Sequence, residues 1–168
     1  MLTLLIASDT HGRADRLAAA LARTKADTLL FLGDGLHDLG VVEDGITVRA
    51  VRGNCDWAHL GDAPLQRTEQ IGGYRIFLTH GHKYGVKYGL DAAVAAAAAA
   101  NADVLVYGHT HLPFERTLLA GTPVSGVQLE KPLLILCPGS LGQPHDGKPT
   151  FATLTLAPAG VLAGFGTL

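Results

Sequence analysis

Five short polar clusters each sit at the end of a mainly apolar run: Asp9-Thr10-His11, Gly33-Asp34, Gly53-Asn54-Cys55-Asp56, His80-Gly81-His82 and Gly108-His109-Thr110-His111. The runs span residues 2–7, 28–32, 46–51, 74–79 and 104–107. Short apolar runs bounded by Gly and Asp predict strands buried on both faces, the texture of parallel sheets covered by helices. Between the first two runs, Leu17, Leu21 and the intervening alanines, with Arg16, Arg23 and Lys25 interspersed, predict an amphipathic helix. Strand, helix and strand together imply a right-handed parallel crossover.

Residues 91–100 are mostly alanine, the best intrinsic helix former. Asp91 stands near the expected amino end and Asn101 is placed to close the helix. After Pro113 the texture turns antiparallel, with short runs at 114–119, 127–128 and 133–137. Residues 153–156 alternate, and a turn at 157–160 leads to 161–165, which predicts a hairpin on a solvent-facing sheet. No internal repeat or composition break divides the chain. At 168 residues and 48% hydrophobic, residues 1–168 are expected to form one domain with a sizeable core.

With 13 basic and 15 acidic residues the formal charge is −2, so no large field draws nucleic acid. The alanine-rich stretch is too short to span a membrane. Cys55 and Cys137 are the only cysteines, which excludes a disulfide-dense scaffold and suits a reducing compartment; one bridge between them stays open. The apolar amino terminus lacks a basic leader and reads as a first strand, so the expected location is cytoplasmic.

Asp, Asn and His are poor endings for buried strands unless something binds them. Asp9 and His11 lie two apart, so in an extended segment both would point one way and grip one ion; His109 and His111 repeat the spacing. Asp34 is a lone carboxylate, able to bridge two cations, and Gly33 beside it permits close approach. Asn54 offers a neutral amide oxygen. Mixed carboxylate, imidazole and amide ligation suits Mn, Fe, Zn, Ni or Co and argues against a thiolate zinc finger. Two such ions about 3.5–4 Å apart clamp a phosphate for in-line displacement. Each cluster alone is a turn or a polar edge; five together, all after apolar runs, point to a metallohydrolase.

The order of these clusters, from Ser8-Asp9-Thr10-His11-Gly12 to Pro138-Gly139-Ser140, resembles the calcineurin-like metallophosphoesterase family. Small size and Arg52-Gly53-Asn54-Cys55-Asp56 make the chain most similar to its YfcE-type phosphodiesterase branch. The resemblance implies an α/β/β/α sandwich of two mixed sheets flanked by helices. It also implies one metal on Asp9, His11, Asp34 and His111, and a second sharing Asp34 and taking Asn54, His80 and His109. Two divalent ions, manganese first among the candidates, would then hold the attacking hydroxide between them. Catalytic roles fall to Asp34, Asn54 and His82, and substrate contacts to Cys55 and His82.

Three positions depart from the family pattern. Many relatives carry His after the Asn, where it protonates the leaving group; here it is Cys55, a weak acid of ordinary pKa about 8.5. An Asn usually precedes Pro-Gly-Ser, where this chain has Cys137, and a basic residue often follows, where it has His145. His82 either faces substrate, donates to a neighbouring carboxylate or is structural. Asp56 either orients the Asn54 loop or caps a turn. His37 and His59 lie in loops near the clusters. The functional expectation is hydrolysis of a small phosphate diester. Alternatives are a monoesterase or nucleotidase, and a metal-binding scaffold such as the retromer sorting subunit resembles. A nuclease fits poorly without a basic groove. A homo-oligomer is compatible with the chain.

Overall fold

In chain order, the first half of the computed structural model comprises β1 (Leu2–Ala7), α1 (Ala14–Thr24), β2 (Thr28–Phe31), β3 (Thr47–Ala50), β4 (Gln66–Ile71), β5 (Tyr74–Thr79), α2 (Asp91–Ala99) and β6 (Val104–Tyr107). The second half is all strand: β7 (Pro113–Leu118), β8 (Pro123–Val124), β9 (Val127–Gln128), β10 (Leu133–Pro138), β11 (Thr150–Ala157) and β12 (Gly160–Thr167). The structure describes residues 1–57 and 62–168; His59 lies outside them.

Ten strands form two five-stranded sheets, ordered β12-β11-β1-β2-β3 and β4-β5-β6-β10-β7. In the first, β1, β2 and β3 are parallel and β11 joins β1 antiparallel. In the second, β5, β6 and β10 are parallel, with β4 and β7 antiparallel at the edges. Side-chain alternation explains the layering. Leu4, Ile6, Leu30 and Leu32 point inward to meet Ile76, Leu78, Val104, Val106 and Leu136 of the facing sheet in one core. Leu5, Ala7, Leu29 and Phe31 point the other way and pack on Leu17, Ala20 and Leu21 of α1. Phe77, Leu105, Ile135 and Cys137 pack likewise on Ala93, Val94 and Ala97 of α2. The result is the expected α/β/β/α sandwich. The alanines of α2 let that helix lie close to its sheet, and Asn101, with φ 52°, closes it by donating to the Ala98 carbonyl at 2.9 Å. Asp91 lies in the first turn but makes no capping hydrogen bond.

Three expectations need correction. The antiparallel expectation for the 133–137 run describes one side of it: β10 pairs antiparallel with β7, but it is buried on both faces and runs parallel to β6 on its other side. Its apolar residues at both parities marked an interior strand, which the flanking Gly and Pro disguised. The terminal hairpin exposes only β12, because β11 is sandwiched between β12 and β1. Strand β4 was not foreseen, although Gln-Arg-Thr-Glu-Gln-Ile before Gly72-Gly73 suits a polar edge. Among the described residues, no helix is long and apolar enough to cross a membrane.

Candidate metal centre

All five polar clusters leave the carboxyl ends of parallel strands β1, β2, β3, β5 and β6, where ligands of open α/β sheets are expected. Backbone hydrogen bonds stitch the loops together. Asp9 N donates to Gly33 O at 2.9 Å and His11 N to Asp34 O at 3.1 Å. Gly33 and Gly53 touch backbone to backbone: a Cβ on Gly33 would lie 2.5 Å from Gly53 N, and one on Gly53 would strike Asp34 Oδ1. The glycines are needed for approach between loops.

Among the described residues, eight non-glycine residues have positive φ, and five of them are candidate ligands: Asp9, His11, Asp34, His109 and His111. Each such residue costs of order 1–3 kcal/mol, and strain of this kind concentrates at functional sites. One fully buried leucine or isoleucine returns a comparable amount, about 1.5–3 kcal/mol, so the double core sustains it. This geometry corrects the extended-segment expectation. None of Asp9, His11, His109 and His111 is extended; Asp9 and His11 still share one group, whereas His109 and His111 part. His111 groups with Asp9 and His11, while His109 groups with Asp34 and His80, ligand atoms within each set lying within 4.8 Å of one another.

The donor atoms converge on Asp9 and Asp34. His111 Nε2 is 3.0 Å from Asp9 Oδ1, and His11 Nε2 is 3.7 Å from it. His80 Nε2 is 3.3 Å from Asp34 Oδ2 and 3.1 Å from Asn54 Oδ1. His11 Nε2 stands 3.9 Å from Asp34 Oδ2, so Asp34 lies between the two groups. Asp9 is wholly buried; its Oδ2 accepts from Ser8 Oγ at 2.5 Å and His109 N at 3.0 Å. Its Oδ1 has no hydrogen-bond donor while the imidazoles that face it are neutral.

The tautomers follow from the carbonyls behind the rings. His80 Nδ1 faces Leu32 O and His111 Nδ1 faces Gln143 O, both at 2.7 Å. A carbonyl only accepts, so each Nδ1 donates, and the neutral ring turns its Nε2 lone pair toward the carboxylates. Lone pairs facing lone pairs require a proton or a cation between them. In the metal-free protein that role falls to protons. Hydrogen bonding to Asp9 raises the His111 pKa; at His80 burial opposes the rise, but Asp34 and Asp9 prevail. Burial likewise opposes, and the imidazoles overcome it, in lowering the pKa of Asp9 and Asp34. His109 is pushed down to about 4 by burial and the His80 charge, leaving a neutral imidazole. Carboxylate, imidazole and amide donors, with a buried oxygen among them that neutral rings leave unsatisfied, fit a borderline divalent metal.

A pH dependence follows. A cation needs neutral His80 and His111, so metal affinity is complete only above their raised pKa and falls as pH drops through it, starting above the ordinary imidazole value of about 6.5. Metal-free stability runs oppositely on the imidazole side: it is present below about 6.5 and lost as pH rises through the raised values. The Asp9 and Asp34 contribution is present above about 3.9 and lost as pH falls through their depressed values. Calorimetric titration with metal at neutral pH, in buffers of differing ionisation enthalpy, is expected to show proton release; metal binding without release would contradict this tautomer assignment.

Asp56 is the residue the sequence undervalued. Its Oδ2 accepts from Asp34 N at 2.7 Å and Gly53 N at 2.8 Å, and its Oδ1 from Gly35 N and Leu36 N at 2.9 Å. It therefore clamps the Asp34 and Asn54 loops together. Asp38, unforeseen, does the same for the first loop, accepting from Thr10 Oγ1 at 2.5 Å and Gly12 N at 2.9 Å. Its signal was only a carboxylate inside an otherwise apolar turn. Ser140 Oγ donates to Asp9 O at 2.7 Å, so the Pro138-Gly139-Ser140 loop supports the centre from behind.

The remaining predicted positions are mixed. His82 donates to no carboxylate; its ring leans on His80 and His109, and its buried Nδ1 has no partner. Exposed Cys55 shares a ligand group with His11 and Asp34. Its thiol is pushed up to about 11 by burial and the Asp34 carboxylate. His145 stacks near His111, ring centres 4.8 Å apart, whereas His37 pairs with Asp38, its Nε2 3.2 Å from Oδ1. Both cysteines are free.

The two-sheet sandwich with polar loops meeting at its strand ends defines a class, and comparison identifies it. Residues 2–158 match the calcineurin-like phosphoesterase superfamily domain, and the chain belongs to that superfamily. Among named relatives, it is 30% identical over 157 residues to the probable metallophosphoesterase YsnB of Bacillus subtilis, covering 92% of this chain and 85% of that one. It is 35% identical over 139 residues to phosphodiesterase YfcE of Escherichia coli, covering 67% and 71%. The solved YfcE structure superposes with TM-score 0.62 at 26% identity, covering 92% of this chain and 88% of YfcE. Vps29 of Chaetomium thermophilum gives 0.70 at 18% identity over 99% and 95%, a likeness of fold alone.

Proposed function

We propose that this protein is a metal-dependent phosphodiesterase with a binuclear centre, acting on a small phosphate diester. The observation that carries the reading is the convergence of the Nε2 atoms of His11, His80 and His111 on the buried Asp9 Oδ1, which has no hydrogen-bond donor while those rings are neutral. Asp9, His11, Asp34 and His111 would hold one ion; Asp34, Asn54, His80 and His109 would hold the other. When bound, the two ions supply charge for phosphate oxygens and a nucleophile from water at neutral pH. Manganese stands first, with Zn, Ni, Fe and Co compatible. One core drawing on both sheets supports reading residues 1–168 as one domain. Two free cysteines suit the cytoplasm.

The chain's own residues divide the remaining work. The Leu32 and Gln143 carbonyls orient His80 and His111, and Ser8 and His109 N hold Asp9 in position. Cys55 N donates to Asp34 Oδ1 at 2.7 Å, fixing the shared carboxylate. His82, beside His80 and His109, is the side chain offered for substrate contact. A thiol stands where an imidazole acid is usual, so the leaving group receives little help. Turnover of bis-aryl phosphates is therefore expected to rise steeply with the acidity of the departing phenol.

The test is elemental analysis of the purified protein, paired with diester and monoester assays across Mn, Zn, Ni and Mg. Diester turnover with about two ions per chain supports the proposal. Preference for monoesters would select a monoesterase or nucleotidase, and bound metal without hydrolysis of any phosphoester would select a scaffold. Neither metal nor turnover would overturn it.

A further inference from the structure

Building on that binuclear reading, we infer that Cys55 is itself a metal ligand, its sulfur joining His11 and Asp34 on the ion that Asp9 and His111 also hold. Three observations converge. First, the sulfur, a His11 ring nitrogen and an Asp34 carboxylate oxygen lie within 4.8 Å of one another, as tightly gathered as the two groups made of ordinary family ligands. His11 and Asp34 appear in those groups as well, so the sulfur adjoins the same centre.

Second, the local backbone leaves the sulfur little choice of place. Cys55 N is tied to Asp34 Oδ1 at 2.7 Å, and Asp56 anchors the turn from the following position through four backbone N–H groups. The Asn54 amide is shared: its Oδ1 faces His80 and its Nδ2 donates to Cys55 Sγ at 3.3 Å. A donor aimed at sulfur supports the thiolate. Third, the wholly buried Asp9 Oδ1, with no hydrogen-bond donor while the imidazoles that face it are neutral, calls for a cation on this side of the centre independently of the cysteine.

Binding would break the S–H bond, leave its electron pair on sulfur for the cation, and release the proton to solvent. The nearby carboxylates resist a thiolate only until a cation reverses the local field; a coordinating thiol is deprotonated outright. Two divalent ions still outweigh the anionic Asp9, Asp34 and Cys55, so the centre keeps its attraction for a phosphate diester. The assignment moves Cys55 from substrate contact to ligation. It also shifts the metal preference, because a thiolate favours Zn, Co and Cd over Mn.

Cobalt substitution tests this directly. The cobalt-loaded protein is expected to show a near-ultraviolet thiolate-to-cobalt charge-transfer band, retained in Cys137→Ala and lost in Cys55→Ser. Cys55→Ser should also weaken cadmium binding by roughly 10–100-fold, the scale for losing one contact at a metal site, with a much smaller change for manganese. In the unmodified protein, bound cadmium should slow modification of Cys55 by a thiol reagent. Cobalt bound at full stoichiometry with no such band would overturn the inference and leave the binuclear reading standing. Failure to bind any metal would defeat both.

Discussion

Asp34→Asn is expected to lower diester turnover by roughly 10²–10³-fold, the scale for removing one preorganised electrostatic contact, and to reduce the metal content per chain. Asp34 lies within 3.3 Å of His80 Nε2 and 3.9 Å of His11 Nε2, the only carboxylate reaching both candidate ligand groups among the described residues, other than Asp9. Asp9 Oδ2 is held by two donors, Ser8 Oγ and His109 N, whereas Asp34 Oδ1 accepts from Cys55 N alone and its Oδ2 faces both His80 and His11, so Asp34 is the carboxylate proposed to bridge. The amide is the informative replacement. Asn tolerates the left-handed φ of 55° and can still accept from Cys55 N, so the loop is preserved while the charge is removed. The thermal midpoint of the metal-free variant should therefore move far less than its activity. Wild-type turnover with two ions retained would show that Asp34 does not bridge.

Asp56→Ala should be the most damaging change to the scaffold, because one carboxylate satisfies four backbone N–H groups from two loops. A buried N–H left without its acceptor costs about 1–3 kcal/mol, and four lose theirs here. Activity and metal affinity should fall roughly 10–100-fold as the Asp34 and Asn54 loops separate. Asp56→Asn is expected to fall between, since its amide offers one acceptor and turns an N–H₂ toward two donors. Denaturant unfolding of the metal-free proteins measures the stability loss, and metal titration measures the second effect. Unchanged stability in Asp56→Ala would mean that solvent replaces the carboxylate and the clamp is dispensable.

The two predictions differ in how visible their residues were. Asp34 stood out only in company: alone Gly33-Asp34 reads as a turn, but beside four other polar clusters it is the lone carboxylate able to bridge two cations. Asp56 did not, because an Asp three residues into a turn is an ordinary local cap, and its partners at 34, 35 and 36 are remote in sequence. Asp38 was invisible for the same reason. The incomplete reading of β10 has a related origin: hydrophobicity at both parities reports burial on two faces, but that β10 has a parallel neighbour in β6 as well as the antiparallel β7 is fixed by distant pairing.

By itself, the sequence determined both long helices and most of the strands, that several of those strands are covered on both faces, and which seven polar side chains stand at the strand ends. Those are local properties, set by hydrophobic periodicity and by polar residues where burial would otherwise forbid them. Residue spacing alone would have kept His109 and His111 together; the family resemblance implied that they divide, and the tertiary structure places them in different groups. It also decided which atoms are free to bind, through the Leu32 and Gln143 carbonyls that fix the ring tautomers, and it brought Cys55 against His11 and Asp34. Backbone twist and contacts between loops more than twenty residues apart leave no mark in a local pattern, and at this site they select the chemistry.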